Sequence, residues 1–178
     1  MDFDYAIHKL WIDYLVWIRD YIYVLMLRRD GMQYIEDRLT RLTTEVSSFF
    51  APYYGDQVAK QFGDLLNRHV DLIAQYAAIV HANESPEPLR EALYANQDDL
   101  ANLLAAINPN WDASVWQGLY QNQTYLEEAL IWSLHRNGYG DAIAQYDDIY
   151  ANIDSIINYL IDGFVKQFGP AVPQGTAG

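Results

Sequence analysis

Residues 10–27, LWIDYLVWIRDYIYVLML, leave this chain few ways to fold. As a helix the stretch has almost no polar face, so it must be surrounded by other helices rather than lie on a surface. Arg19 falls in its middle, with Leu15, Val16, Ile22 and Tyr23 three and four residues away. A charge carried into an interior has to be answered there, and a buried ion pair with Asp147 is the simplest answer.

The periodicity of the remaining sequence supplies the surrounding helices. Segments at about 4–28, 32–50, 57–81, 85–107, 113–136 and 141–168 repeat apolar residues at three- and four-residue spacing. They are separated by Asp30-Gly31, by Pro52 with a Tyr53-Tyr54-Gly55 turn, by ANESPEP, by Asn108-Pro109 and by Asn137-Gly138. Asp56, Ser85 with Pro86, and Asp112 are the expected helix starts. This pattern predicts an all-α antiparallel bundle of about six helices, four long and two shorter. Residues 1–168 form one helical domain on this reading, and 169–178, GPAVPQGTAG, a flexible tail.

Charge and composition narrow the function. Half of the residues are hydrophobic, with 15 tyrosines and 5 tryptophans, and the formal net charge is −13. Residues 1–90 hold nine basic and thirteen acidic side chains, whereas 91–178 hold two and eleven. A surface of that sign repels phosphate backbones and anionic lipid, which argues against nucleic acid or membrane partners. The absence of cysteine excludes disulfides, thiolate metal sites and thiol nucleophiles. No basic leader and no span of about 20 apolar residues is present, so the expected compartment is the cytoplasm.

Several polar residues lie on the apolar stripes rather than opposite them. His69 is flanked by Leu65, Leu66, Leu72 and Ile73; Gln123 by Leu119, Tyr120 and Leu126, with Glu127 one turn on; Asn96 continues the line of Leu93 and Leu100. Tyr14 sits between Leu10, Trp11, Trp17 and Ile18, and Asp147 flanks the stripe of the last helix. Tyr14, Trp17, Arg19, His69, Asn96, Gln123 and Asp147 are therefore the candidate residues of an interior pocket. A closed network that fixes helix register explains the same placement without a ligand.

Enzyme patterns are missing. No Glu-x-x-His occurs, adjacent Glu127 and Glu128 point about 100° apart, and no serine stands on a nucleophile elbow. His8, His81 and His135 fall near helix ends, where dipole or surface roles suffice.

The ordered set LWxxxxxWxR at residues 10–19, YYGDQVAKQF at 53–62, LLNRHVDLIA at 65–74, AINPNW at 106–111, GYGDAIAQYDDI at 138–149 and DGFVKQFG at 162–169 resembles a family of small bacterial all-helical proteins. That family is uncharacterised and sometimes labelled acetylglutamate kinase. The resemblance implies histidines at the positions of Tyr14 and Gln123, alongside His69 and Asp147. Such a set from four helices would suit a divalent metal. Here only His69 and Asp147 remain of it, which supports the pocket more than the metal. The kinase label conflicts with the chemistry, because no glycine-rich loop is present and residues 91–178 have only Arg136 and Lys166 as basic groups.

Three readings follow. The first is a non-catalytic bundle that binds a small ligand in the interior pocket, with Arg19 favouring an anionic group. The second is an interaction protein, a homodimer through Tyr23, Tyr53 and Tyr54. The third is a metal-binding or metal-assisted enzyme using His69 with Asp147.

Overall fold

The structure, a computed structural model, describes residues 3–169. Six helices follow one another: α1 (Phe3–Leu27), α2 (Met32–Tyr54), α3 (Asp56–His81), α4 (Glu87–Ile107), α5 (Ala113–His135) and α6 (Tyr139–Phe168). There is no strand among the described residues. Of the expected tail 169–178, all but Gly169 lies outside them.

Connectors of one to five residues force each helix to run back along its predecessor. Contacts then sort the six into two shells. α1, α3 and α5 touch one another, and each of the others fills a groove: α2 between α1 and α3, α4 between α3 and α5, α6 between α5 and α1. The three inner helices run in the same direction. This explains why residues 10–27 lack a polar face, since α1 packs on four of the other five helices.

The helices are 21 to 30 residues long. The largest difference from the sequence pattern is at Pro52, which lies inside α2 instead of ending it. Proline removes one backbone donor, but the final turn is held by its aromatics. Tyr53 and Tyr54 pack on Phe164 with ring centroids at 5.1 and 5.5 Å. They are thus half-buried in an aromatic cluster. Gly55, at φ +84°, makes the corner between α2 and α3, and Asp56 is the first residue of α3 rather than its cap. Asp112 does cap α5, accepting from the Ser114 amide at 2.7 Å.

The far end of the bundle is closed by the AINPNW loop. Asn108 is fully buried and donates to the Gly163 carbonyl at 2.9 Å, while its Oδ1 accepts from the Asn110 amide. The Trp111 indole donates to the Tyr159 carbonyl at 3.2 Å and lies so close to Gly163 that a Cβ there would fall 1.7 Å from Nε1. Glycine at 163 is what lets the loop dock on α6.

Candidate functional site

Each inner helix places one or two polar side chains near its midpoint on the bundle axis. Tyr14 from α1, His69 from α3, and Tyr120 and Gln123 from α5 line one cavity of about 30 Å³. Trp11, Leu66, Leu100 and Ile156 complete much of its wall. The volume admits about two water-sized groups.

Behind this cavity a hydrogen-bonded chain crosses the bundle. Gln97 Nε2 of α4 stands 2.7 Å from His69 Nδ1. An amide nitrogen can only donate, so Nδ1 accepts and the neutral ring carries its proton on Nε2. That nitrogen lies 2.9 Å from Glu127 Oε2. The contact is off the line of the ring N–H, and Oε2 is left without an in-line donor. Gln123 Nε2 donates to Glu127 Oε1 at 2.9 Å, Asn152 Nδ2 donates to Gln123 Oε1 at 3.0 Å, and Asn122 donates to Asn152 Oδ1 at 2.8 Å. Three helix contacts, α4 to α3, α3 to α5 and α5 to α6, are thereby bridged by polar groups in the core. His69 and Glu127 are 3 % and 1 % exposed, so the pair has little solvent to screen it.

The tyrosines differ from this chain in having no protein partner. The hydroxyls of Tyr14 and Tyr120 are buried and unpaired. Burial, followed by the nearby Glu127 and Tyr120, pushes the Tyr14 phenol well above its ordinary value. Burial alone does the same to Tyr120. Both remain neutral hydroxyls that can donate one hydrogen bond and accept others.

Not every candidate from the sequence comes to this place. Tyr14, His69 and Gln123 do. Asn96 is fully buried but spends its amide on the Leu65 carbonyl at 3.2 Å, beside the cavity rather than in it. Trp17 is half-buried, with the Arg38 guanidinium over its ring at 5.7 Å. Arg19 does not enter the interior: its side chain reaches out along the seam between α1 and α6, sandwiched by Tyr23 at 4.7 Å and Tyr146 at 4.6 Å and paired with Asp20 at 3.3 Å. A long side chain can bury its stem and keep its charge at the rim. Asp147 is exposed on α6, so it neither answers Arg19 nor stands beside buried His69.

Gln97, Tyr120, Glu127 and Asn152 belong to the site although they were not among the candidates. The signal was present for two of them: Gln97 lies four residues after Leu93 and three before Leu100, and Asn152 lies between Ile149 and Ile156.

The donor set does not fit a divalent metal. His69 and Glu127 are its only strong ligands, both His69 nitrogens face protein groups, and a phenol and an amide stand where further imidazoles would be needed. Among the described residues no group of three or more His, Asp or Glu side chains is placed to hold an ion. No helix among them is long and apolar enough to cross a membrane. No protein-family model, curated protein or solved structure matches the chain.

Proposed function

We propose that this protein is a non-catalytic binding bundle whose axial cavity takes a small polar ligand. The observation that carries this reading is the pair of buried, unpaired hydroxyls of Tyr14 and Tyr120 facing a cavity also lined by His69 and Gln123. An unsatisfied buried hydroxyl costs roughly 1–3 kcal/mol, and a core built only for stability would carry phenylalanine at both positions. The preformed chain through Gln97, His69, Glu127 and Asn152 holds the cavity wall in place, as a recognition site requires. The resemblance noted above supports the same location, because the three positions for which it implies histidine line this one cavity.

Ligand chemistry follows from the charges at hand. With Arg19 at the rim, Glu127 and His69 are the ionisable pair closest to the cavity, and no second cation is there to hold an anion. The ligand is a neutral or cationic molecule of a few non-hydrogen atoms. Turnover is not part of the reading, since no serine or threonine hydroxyl lines the cavity beside His69. The bundle is assigned to the cytoplasm on the same terms.

Formamidinium, formamide and formate have one shape and three charges. Thermal unfolding in the presence of each should show a saturable rise in Tm with formamidinium or formamide, none with formate, and loss of the effect in Tyr14→Phe. Equal behaviour of all three, or an unchanged response in the variant, would overturn the assignment.

A further inference from the structure

We propose a second site, independent of the axial cavity: the cleft between the ends of α1 and α3 and the start of α2 binds an anionic head group carried on a short apolar stem. The cleft has a volume of about 410 Å³. Arg28, Arg29 and His81 form its polar side, and Val24, Leu25 and Ala77 its apolar side.

Six of the eleven basic side chains are held in ion pairs. Lys9, Arg19, Arg38, Lys60, Arg90 and Lys166 each have a carboxylate within ion-pair distance. Arg28, Arg29, Arg41, Arg68 and Arg136 have none among the described residues, and of these only Arg28 and Arg29 are consecutive and line one cleft together, with Asp30 directly after them. Two adjacent guanidiniums left unpaired in so acidic a protein are available to a carboxylate or phosphate.

The backbone points the same way. The inner helices α1, α3 and α5 end alike: the amides of Arg29, Glu84 and Gly138 reach back to the carbonyls of Val24, Ile79 and Ser133, with a left-handed residue just before each. At α3 and α5 that residue is Asn83 or Asn137, at φ 60° and 59°, which tolerate the conformation. At α1 it is Arg28, at φ 49°. An arginine stands where asparagine or glycine would be less strained, and it lines the cleft.

Two more polar groups converge there. His81 Nδ1 is buried without a partner. The N-cap of α2 is Gly31, at φ +95°, which has no side chain to cap the first-turn amides, and the next residue, Met32, lines the cleft. An uncapped helix start adds N–H donors and a favourable dipole to two guanidiniums. The apolar side of the cleft selects an anion with a hydrocarbon stem over inorganic phosphate.

Calorimetric titration of the full chain with hexanoate and hexyl phosphate, and with hexanol and hexylammonium as uncharged and cationic counterparts, tests the proposal. Hexanoate or hexyl phosphate should bind saturably at one site, and hexanol at least about tenfold more weakly. Which of the two binds more tightly identifies the head group as carboxylate or phosphate. An Arg28→Gly, Arg29→Ser variant should lose about tenfold or more in affinity while melting no lower than the parent, because glycine relieves the left-handed residue. Binding of hexanol equal to that of hexanoate, unaltered affinity in the folded variant, or no saturable binding of either anion would overturn it.

Discussion

His69 Nε2 and Glu127 Oε2 face each other at 2.9 Å across the contact between α3 and α5, on the axis of three parallel inner helices. Every other feature of the axial site hangs on this pair. Gln97 fixes the imidazole from one side, Gln123 and Asn152 fix the carboxylate from the other, and the cavity with its two unpaired tyrosines opens next to them.

The pair should behave as a buried one in a double-mutant cycle. Glu127→Ala alone leaves the imidazole N–H and the Gln123 amide without their counterpart and is expected to cost about 1–3 kcal/mol in urea unfolding. Removing both partners in His69→Leu, Glu127→Leu should cost less than the sum of the single variants, because the pair no longer faces itself half-broken, while the Gln97 and Gln123 amides left without acceptors keep part of the loss. Additive losses in the double variant would show that the two side chains act separately.

Gly163→Ala should destabilise the protein by about 1–3 kcal/mol or more, because the new methyl falls on the Trp111 indole. Trp111 cannot retreat without breaking its bond to the Tyr159 carbonyl. A smaller ring in Trp111→Phe should partly rescue Gly163→Ala, and chemical denaturation of the three variants reads the coupling directly. Equal losses in both backgrounds would separate the loop from α6.

Arg28→Gly is expected to stabilise the fold by roughly 0.5–1 kcal/mol, the difference between a left-handed arginine and the glycine that position favours. A lower unfolding midpoint for this variant would mean that the arginine makes a stabilising contact that outweighs its backbone.

Stability should fall at alkaline pH. Burial is the leading cause that raises the phenols of Tyr14, Tyr21, Tyr53, Tyr54, Tyr76 and Tyr120 above their ordinary value of 10.0. A group raised in the folded state contributes stability that is complete below its unfolded value and is lost as pH climbs through the folded one. The loss therefore begins near pH 10, and much of the tyrosinate absorbance should appear cooperatively with unfolding. Gradual, reversible ionisation of all fifteen tyrosines with the helices intact would contradict this.

The sequence displayed the helices because apolar spacing is a local property, and it displayed His69 and Gln123 because each is ringed by apolar neighbours at three and four residues. It hid Pro52, whose helix-breaking tendency is overridden by Tyr53 and Tyr54 packing on Phe164, a contact more than a hundred residues away in the chain. Arg19 misled for a different reason. A helix that is apolar all round places its arginine near the core, yet the side chain is long enough to leave along the seam with α6. Asp147 fell one position off the stripe, and a single position turns a helical residue by about 100°. Gln97 was legible, but Asn96 beside it drew the same argument, and periodicity does not rank two adjacent amides.

The most direct test of the axial site is the nitrogen spectrum of the His69 ring, followed by NMR while formamide or formamidinium is added. The parent protein should show Nδ1 as the hydrogen-bond acceptor and Nε2 as the protonated nitrogen, with saturable shifts of both on addition of at least one probe and none in Tyr14→Phe. A His69 ring that keeps its resonances through the titration with both probes would contradict a ligand site and leave the chain from Gln97 to Asn152 as a structural element.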